Sequence, residues 1–176
     1  SSNIRTIYLE NNSIQRLDFF VFHTLVNLDQ LYLSNNFIKT LPPTIFELNH
    51  KLTSLTLDNN LIKELDEKLF VSLVNVREIR LNDNRIERID TRLFSTLRNL
   101  MELSLQNNQI KAIEPEAFRN CHRLKYINMQ HNELTDVGNI FNTNSSLTSI
   151  QMNSNFIKFI NHKFFNNQFH VQVLWL

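Results

Sequence analysis

Apolar and polar positions along this chain repeat one template. Leu52, Leu55 and Leu57 precede Asn60, and Ile62, Leu65, Phe70 and Leu73 follow it. Val76 then reopens the series with Ile79, Leu81, Asn84, Ile86, Ile89, Phe94 and Leu97. Asn12, Asn36, Asn60, Asn84, Asn108 and Asn132 stand 24 residues apart, and Phe22, Phe46, Phe70, Phe94 and Phe118 keep the same step. Two interleaved ladders with one period mean that a single unit is stacked on itself. A unit this short cannot bury its apolar face alone and must bury it against its neighbours. The expected architecture is a solenoid, which offers a large surface and seldom a catalytic pocket.

Seven units begin at Ile4, Leu28, Leu52, Val76, Leu100, Leu124 and Leu147, and a partial eighth runs from Val171 to Leu176, so residues 1–176 read as one domain. In Leu55-Thr56-Leu57 the two leucines lie two apart and point to one side of a short strand, while Thr56 points to the other. One such strand per unit predicts a parallel sheet, with strands centred on Leu9, Leu33, Leu57, Leu81, Leu105, Met129 and Met152. After each strand the chain turns sharply and leaves backbone donors and acceptors under the next coil. A buried Asn serves several of them with one amide. That structural role is expected for Asn12, Asn36, Asn60, Asn84, Asn108, Asn132 and Asn155. The Phe ladder reads as core and slips to Phe141 and Phe165, because the sixth unit is one residue short around Gly138 and Asn144.

The full spacing, L-x-x-L-x-L-x-x-N-x-I-x-x-L followed by a descending arm that carries Phe, resembles the leucine-rich repeat of the typical 24-residue class. The resemblance implies an α/β horseshoe, with short parallel strands on the concave face and irregular or helical-turn descending segments on the convex side. Extracellular members usually close each end with a disulfide-bonded cap, and neither cap is present here. The chain starts on its first strand and breaks off at Leu174-Trp175-Leu176, so it reads as a fragment of a longer protein. The repeat class is similar to Toll-type ectodomains and to the leucine-rich repeat immune proteins of insects, notably mosquitoes. It implies an extracellular, secreted or receptor-borne recognition or scaffolding module in innate immunity. An adhesion or neuronal guidance receptor uses the same unit. An intracellular scaffold would fit the lack of disulfides but resembles a shorter, 22-residue unit.

Composition narrows the function further. Net charge is +1, with 18 Lys and Arg against 17 Asp and Glu interspersed along the chain, so no electrostatic argument for nucleic acid or a membrane arises. No apolar run approaches the roughly 18 residues of a spanning helix. Cys121, the single cysteine, takes the place of Leu25, Leu73 and Leu97 and reads as a small buried hydrophobe. The six histidines lack metal-ligand spacing, and there is no phosphate-cradling Gly loop, nucleophile elbow or paired acidic motif. No enzyme, cofactor or metal is expected. Asn11-Asn12-Ser13 and Asn144-Ser145-Ser146 are acceptor sequons, which makes Asn11 and Asn144 candidate glycosylation sites.

A protein ligand or partner subunit would meet the outward side of the strands. Alternation assigns Tyr8, Tyr32, Thr56, Arg80, Glu102, Tyr126, Asn128 and Gln151 to that face, with Trp175 in the eighth strand. All three tyrosines fall there and all fourteen phenylalanines lie elsewhere. Tyr and Trp suit interface contacts that are apolar on the body and polar at the tip. Tyr is also simply tolerated on exposed strands. Tyr8 and Tyr32 should form an aromatic step, and Glu78, Arg80 and Glu102 a largely self-paired patch. A second candidate surface is the charge-poor C-terminal flank, where Phe156, Phe159, Phe164 and Phe169 accumulate. A dimer or hetero-complex through the parent protein stays open.

Overall fold

The computed structural model describes residues 2–138, 140–141, 146–160, 162–165 and 170–176. Eight short strands lie side by side in chain order in one parallel sheet. They are β1 (Thr6–Tyr8), β2 (Gln30–Tyr32), β3 (Ser54–Thr56), β4 (Glu78–Arg80), β6 (Glu102–Ser104), β8 (Tyr126–Asn128), β9 (Ser149–Gln151) and β10 (Val173–Trp175). Pairing carries Ile7 onto Leu31, Leu55, Ile79, Leu103, Ile127, Ile150 and Leu174 in one column. From Leu31 to Ile150 that column is buried, as is the column from Leu33 to Met152 two residues on. The central residues of the strands thus lie two positions earlier than the spacing predicts. Leu9 and Asn11 still donate backbone hydrogen bonds to Tyr32 and Ser34 of the next coil, at 2.8 and 3.1 Å. Asn11, Asn35, Asn59, Asp83, Asn107, His131 and Ser154 then adopt φ between 52 and 59° and swing the chain off the sheet. Six of these seven are Asn, Asp or His, the types other than Gly that enter the left-handed region most readily.

The residue after each left-handed turn is the ladder Asn. Asn60 accepts a hydrogen bond at Oδ1 from the Ile38 N–H (3.0 Å), and its Nδ2 donates to Leu33 O, Leu57 O and Asp58 O at 3.0–3.2 Å. Asn36, Asn84, Asn108 and Asn132 are buried likewise, and their Oδ1 atoms serve Ile14, Ile62, Ile86 and Ile110. Each amide therefore stitches its own turn to the coil before it. Asn155 repeats the arrangement half-buried, with Leu134 as its donor. Asn12 differs: it is exposed, and among the described residues it bonds the Leu9 and Glu10 carbonyls of its own turn alone.

On the other side of the core the Phe rings stack. Phe70, Phe94, Phe118 and Phe141 follow one another at centroid distances of 5.6–6.0 Å, and Phe22 stacks on Phe46 at 6.1 Å. The ring that follows Phe141 is buried Phe164, edge-on at 6.2 Å. Phe164 and not Phe165 thus takes the ring's place in the seventh unit, and the Phe165 side chain lies outside the described residues. The descending arms are turns, and the one helical stretch among the described residues is a 3-10 turn at His162–Phe165. A second, two-stranded parallel sheet joins β5 (Arg88–Ile89) to β7 (Ala112–Ile113), and Asp136 bridges to Phe159 further along. The repeat template does not forecast this ladder. Glu114 N donates to Ile89 O across it, whereas the corresponding place in the second coil holds Pro42, which has no N–H to give.

Candidate protein-binding face of the sheet

Strand alternation turns two rows of residues away from the core. One row aligns Tyr8, Tyr32, Thr56, Arg80, Ser104, Asn128, Gln151 and Trp175; the other aligns Thr6, Gln30, Ser54, Glu78, Glu102, Tyr126, Ser149 and Val173. Tyr126 therefore stands in the row beside the one that holds Tyr8 and Tyr32. Those two rings stack nearly parallel, with centroids 5.0 Å apart and planes 3° apart. Tyr8 is 70% exposed, Tyr32 half-buried, and Trp175 57% exposed at the far end.

Not every outward residue is accessible. Thr56, Ser54 and Asn128 are buried although they point away from the core. Short side chains on a stacked sheet are covered by their longer neighbours, and here they are tied together. Ser34 Oγ lies 2.7 Å from both Thr56 Oγ1 and Asp58 Oδ1, and Ser54 Oγ donates to Glu78 Oε2 at 3.3 Å. Asn128 Nδ2 donates to the Tyr126 hydroxyl, which donates to Gln151 Oε1, and Gln130 Nε2 reaches the same oxygen at 2.8 Å. Arg80 Nε donates to Glu78 Oε1 at 2.6 Å. Glu102 lies directly opposite Glu78 and enters no ion pair among the described residues.

A third row, which includes Gln106, Gln130 and Asn153, also faces outward, as the alternation along each strand implies. Gln106 Oε1 and Asn153 Oδ1 are buried there without a hydrogen-bond partner among the described residues. The signal was present, since both occupy the third outward place of their units, but satisfaction of an amide is a tertiary property. On the C-terminal flank Phe156 and Phe159 are 63% and 66% exposed, whereas Phe164 belongs to the core and Phe169 lies outside the described residues. Asn11 is exposed, and Asn144 lies outside the described residues. Cys121 is fully buried, its thiol 3.7 Å from the Phe94 carbonyl, and burial pushes its pKa up to about 12. Among the described residues no group of His, Cys, Asp and Glu could hold a metal, and no helix is long and apolar enough to cross a membrane.

The sequence pattern of the family described as "Leucine rich repeat" matches residues 2–62, 27–86, 50–100 and 74–134, well over half of the chain. The chain belongs to the leucine-rich repeat family. No curated protein matches it in sequence. Among solved structures, this leucine-rich repeat chain is similar to Drosophila Toll in the Toll–Spatzle complex, at 26% identity and a TM-score of 0.88 over 96% of its length. It is similar to TLR13 in the TLR13–ssRNA13 complex, at 27% identity and a TM-score of 0.78 over 87% of its length. A Leptospira interrogans leucine-rich repeat protein, LIC12759, shares the fold at 24% identity and a TM-score of 0.81 over 98% of its length. The chain spans 24%, 22% and 43% of those chains, respectively.

Proposed function

We propose that this chain is a non-catalytic recognition module that works outside the cell, in innate immunity, and binds a protein ligand on the outward face of its sheet. The observation that carries the reading is the stacked Tyr8–Tyr32 pair at one end of that face, with Tyr8 largely exposed and Tyr32 half-buried. An amphipathic aromatic step held rigid before binding offers contact area at little entropic cost. The similarity to Toll, solved with Spatzle, supports a protein as the ligand. TLR13 is solved with an RNA, but the face here carries Glu10, Asp58, Glu78 and Glu102 against Arg80 alone, which disfavours a polyanion on it. A glycan on exposed Asn11 belongs to the same reading, and enzymatic deglycosylation of the secreted protein would reveal it as a loss of mass.

The test is capture from the extracellular fluid of the source organism, followed by titration of the retained protein. A Tyr8→Ala/Tyr32→Ala variant should bind about tenfold or more weakly, as expected for the loss of a hot spot worth about 1–2 kcal/mol or more. Full binding by that variant, with loss on changing Phe156 or Phe159 to Ala, would move the interface to the C-terminal flank.

A further inference from the structure

Charges that alternate in sign along the chain separate in space. Stacking at a 24-residue period sets three columns of residues side by side where each descending arm returns to its strand. One column contains His50, Val74, Arg98 and His122, the next Lys51, Asn75, Asn99 and Arg123, and the third Arg5, Asp29, Thr53, Arg77, Met101 and Lys125. Arg5, Lys51, Arg77, Arg98, Arg123 and Lys125 are all exposed, and none enters an ion pair among the described residues. Against these six cations the columns hold one carboxylate, Asp29, whose Oδ1 already accepts from Thr53 Oγ1 at 2.5 Å. The chain as a whole is only +1, so the rest of it is net acidic. Five of the six ion pairs among the described residues lie away from this edge, in the turns and arms beyond the ladder Asn.

The ridge is also supported from beneath. Asn27 Nδ2 donates to Ser2 O and Asn99 Nδ2 to Val74 O, which leaves each amide oxygen turned toward the following coil. Lys51 Nζ donates to Asn27 Oδ1 at 2.7 Å, and Arg123 Nη1 to Asn99 Oδ1 at 3.4 Å. Backbone-anchored amides thus hold two of the cations on the edge. On one side the ridge is bounded by the uncharged column Thr24, Leu48, Ser72, Thr96 and Asn120, and on the other by Glu78, engaged with Arg80, and Glu102.

We propose that this edge is a binding site for a linear sulfated polysaccharide, running across the coils from Lys51 to Lys125. Successive coils stand about 4.8 Å apart, so the five cations of these four coils cover about 15 Å of a straight line. That suits a polymer with closely spaced fixed charges and a release of its counterions. No Phe, Tyr or Trp lies on these columns from the third to the sixth coil, so a single-stranded nucleic acid would find no stacking platform. The exposed apolar residue there is Val74, without the bulky aromatic side chains that anchor a protein in a membrane interface. The edge is distinct from the sheet face, and its failure would leave the Tyr8–Tyr32 reading untouched.

The probe is a labelled heparin oligosaccharide, titrated at several salt concentrations beside a single-stranded RNA of equal charge and vesicles of mixed neutral and anionic lipid. The polysaccharide should bind most tightly, with affinity falling steeply with salt. In an Arg77→Gln/Arg98→Gln/Arg123→Gln variant the slope of log affinity against log salt should fall by about three, roughly one per cation removed. The matching Arg-to-Lys triple variant should retain binding, which separates charge from fold. Neutralising exposed Lys39, Lys68 and Arg85 instead should leave the slope unchanged. No polysaccharide binding, or equal losses in the two triple-Gln variants, would overturn the site. Tighter binding of RNA or vesicles at matched charge and salt would overturn the choice of occupant.

Discussion

Asn84→Ala tests the account of what joins the coils. Asn84 makes four hydrogen bonds: its Oδ1 accepts from Ile62 N, and its Nδ2 donates to Leu57 O, Leu81 O and Asn82 O, all at 3.0–3.2 Å. The three carbonyls keep other donors after truncation, since Asn60 Nδ2 reaches Leu57 O, Asn108 Nδ2 reaches Leu81 O and Asn59 N reaches Asn82 O. The Ile62 N–H has no second partner in a site where Ile62 itself is fully buried. One orphaned buried donor costs about 1–3 kcal/mol, and the forfeited second bonds add a smaller amount, so the expected loss is about 3 kcal/mol. Asn12→Ala in the first coil is the internal control. Asn12 is exposed and serves no neighbouring N–H, so its loss should stay within about 1 kcal/mol. Urea unfolding followed by circular dichroism gives both numbers, with the slope held common because both chains expose the same surface. Equal midpoints for the two variants would mean that water satisfies Ile62, and the amide ladder would then carry no stability.

Three further outcomes follow from buried groups. Asn49 is fully buried where other coils hold Leu25, Leu73 and Leu97, and its Oδ1 has no partner, while the Phe22 and Leu25 carbonyls it contacts already accept backbone N–H groups. Asn49→Leu should therefore stabilise the chain by about 1 kcal/mol, and a lower urea midpoint would contradict this. Cys121 has a folded pKa raised from 9.0 to about 12, so its contribution is complete below pH 9 and is lost as the pH rises from 9 toward 12. Over that window stability should fall by up to about 1.4 kcal/mol per pH unit more steeply than in Cys121→Leu, and parallel pH profiles would refute it. Tyr32→Ala removes a half-buried ring and its stack on Tyr8, which should cost about 1 kcal/mol, whereas Tyr8→Ala should cost less because Tyr8 is largely exposed; thermal melts decide the order.

The sequence by itself determined the stacking unit, because a period of 24 shared by Asn and Phe leaves no other way to bury both. The parallel sheet, the core columns and the residues that turn outward all follow from it through the two-residue alternation of each strand. The same reading placed strand centres two residues late, because the left-handed turn at Asn11 and its equivalents acts before the apolar pattern ends. It could not tell which outward residues stay accessible. Alternation gives a side chain its direction, but Thr56, Ser54 and Asn128 are buried by longer neighbours and by hydrogen bonds that cross from coil to coil. Only the tertiary structure decided the electrostatics. Along the chain the two signs look mixed, since residues adjacent in sequence leave in different directions. Stacking replaces those neighbours with residues one coil away, and it gathers Lys51, Arg77, Arg98, Arg123 and Lys125 on one edge while Lys63, Arg88, Arg92, Lys111 and Arg119 meet carboxylates elsewhere. A charge acts through space over about 10 Å, the distance of two coils, so that arrangement and not the order of letters sets what the surface attracts.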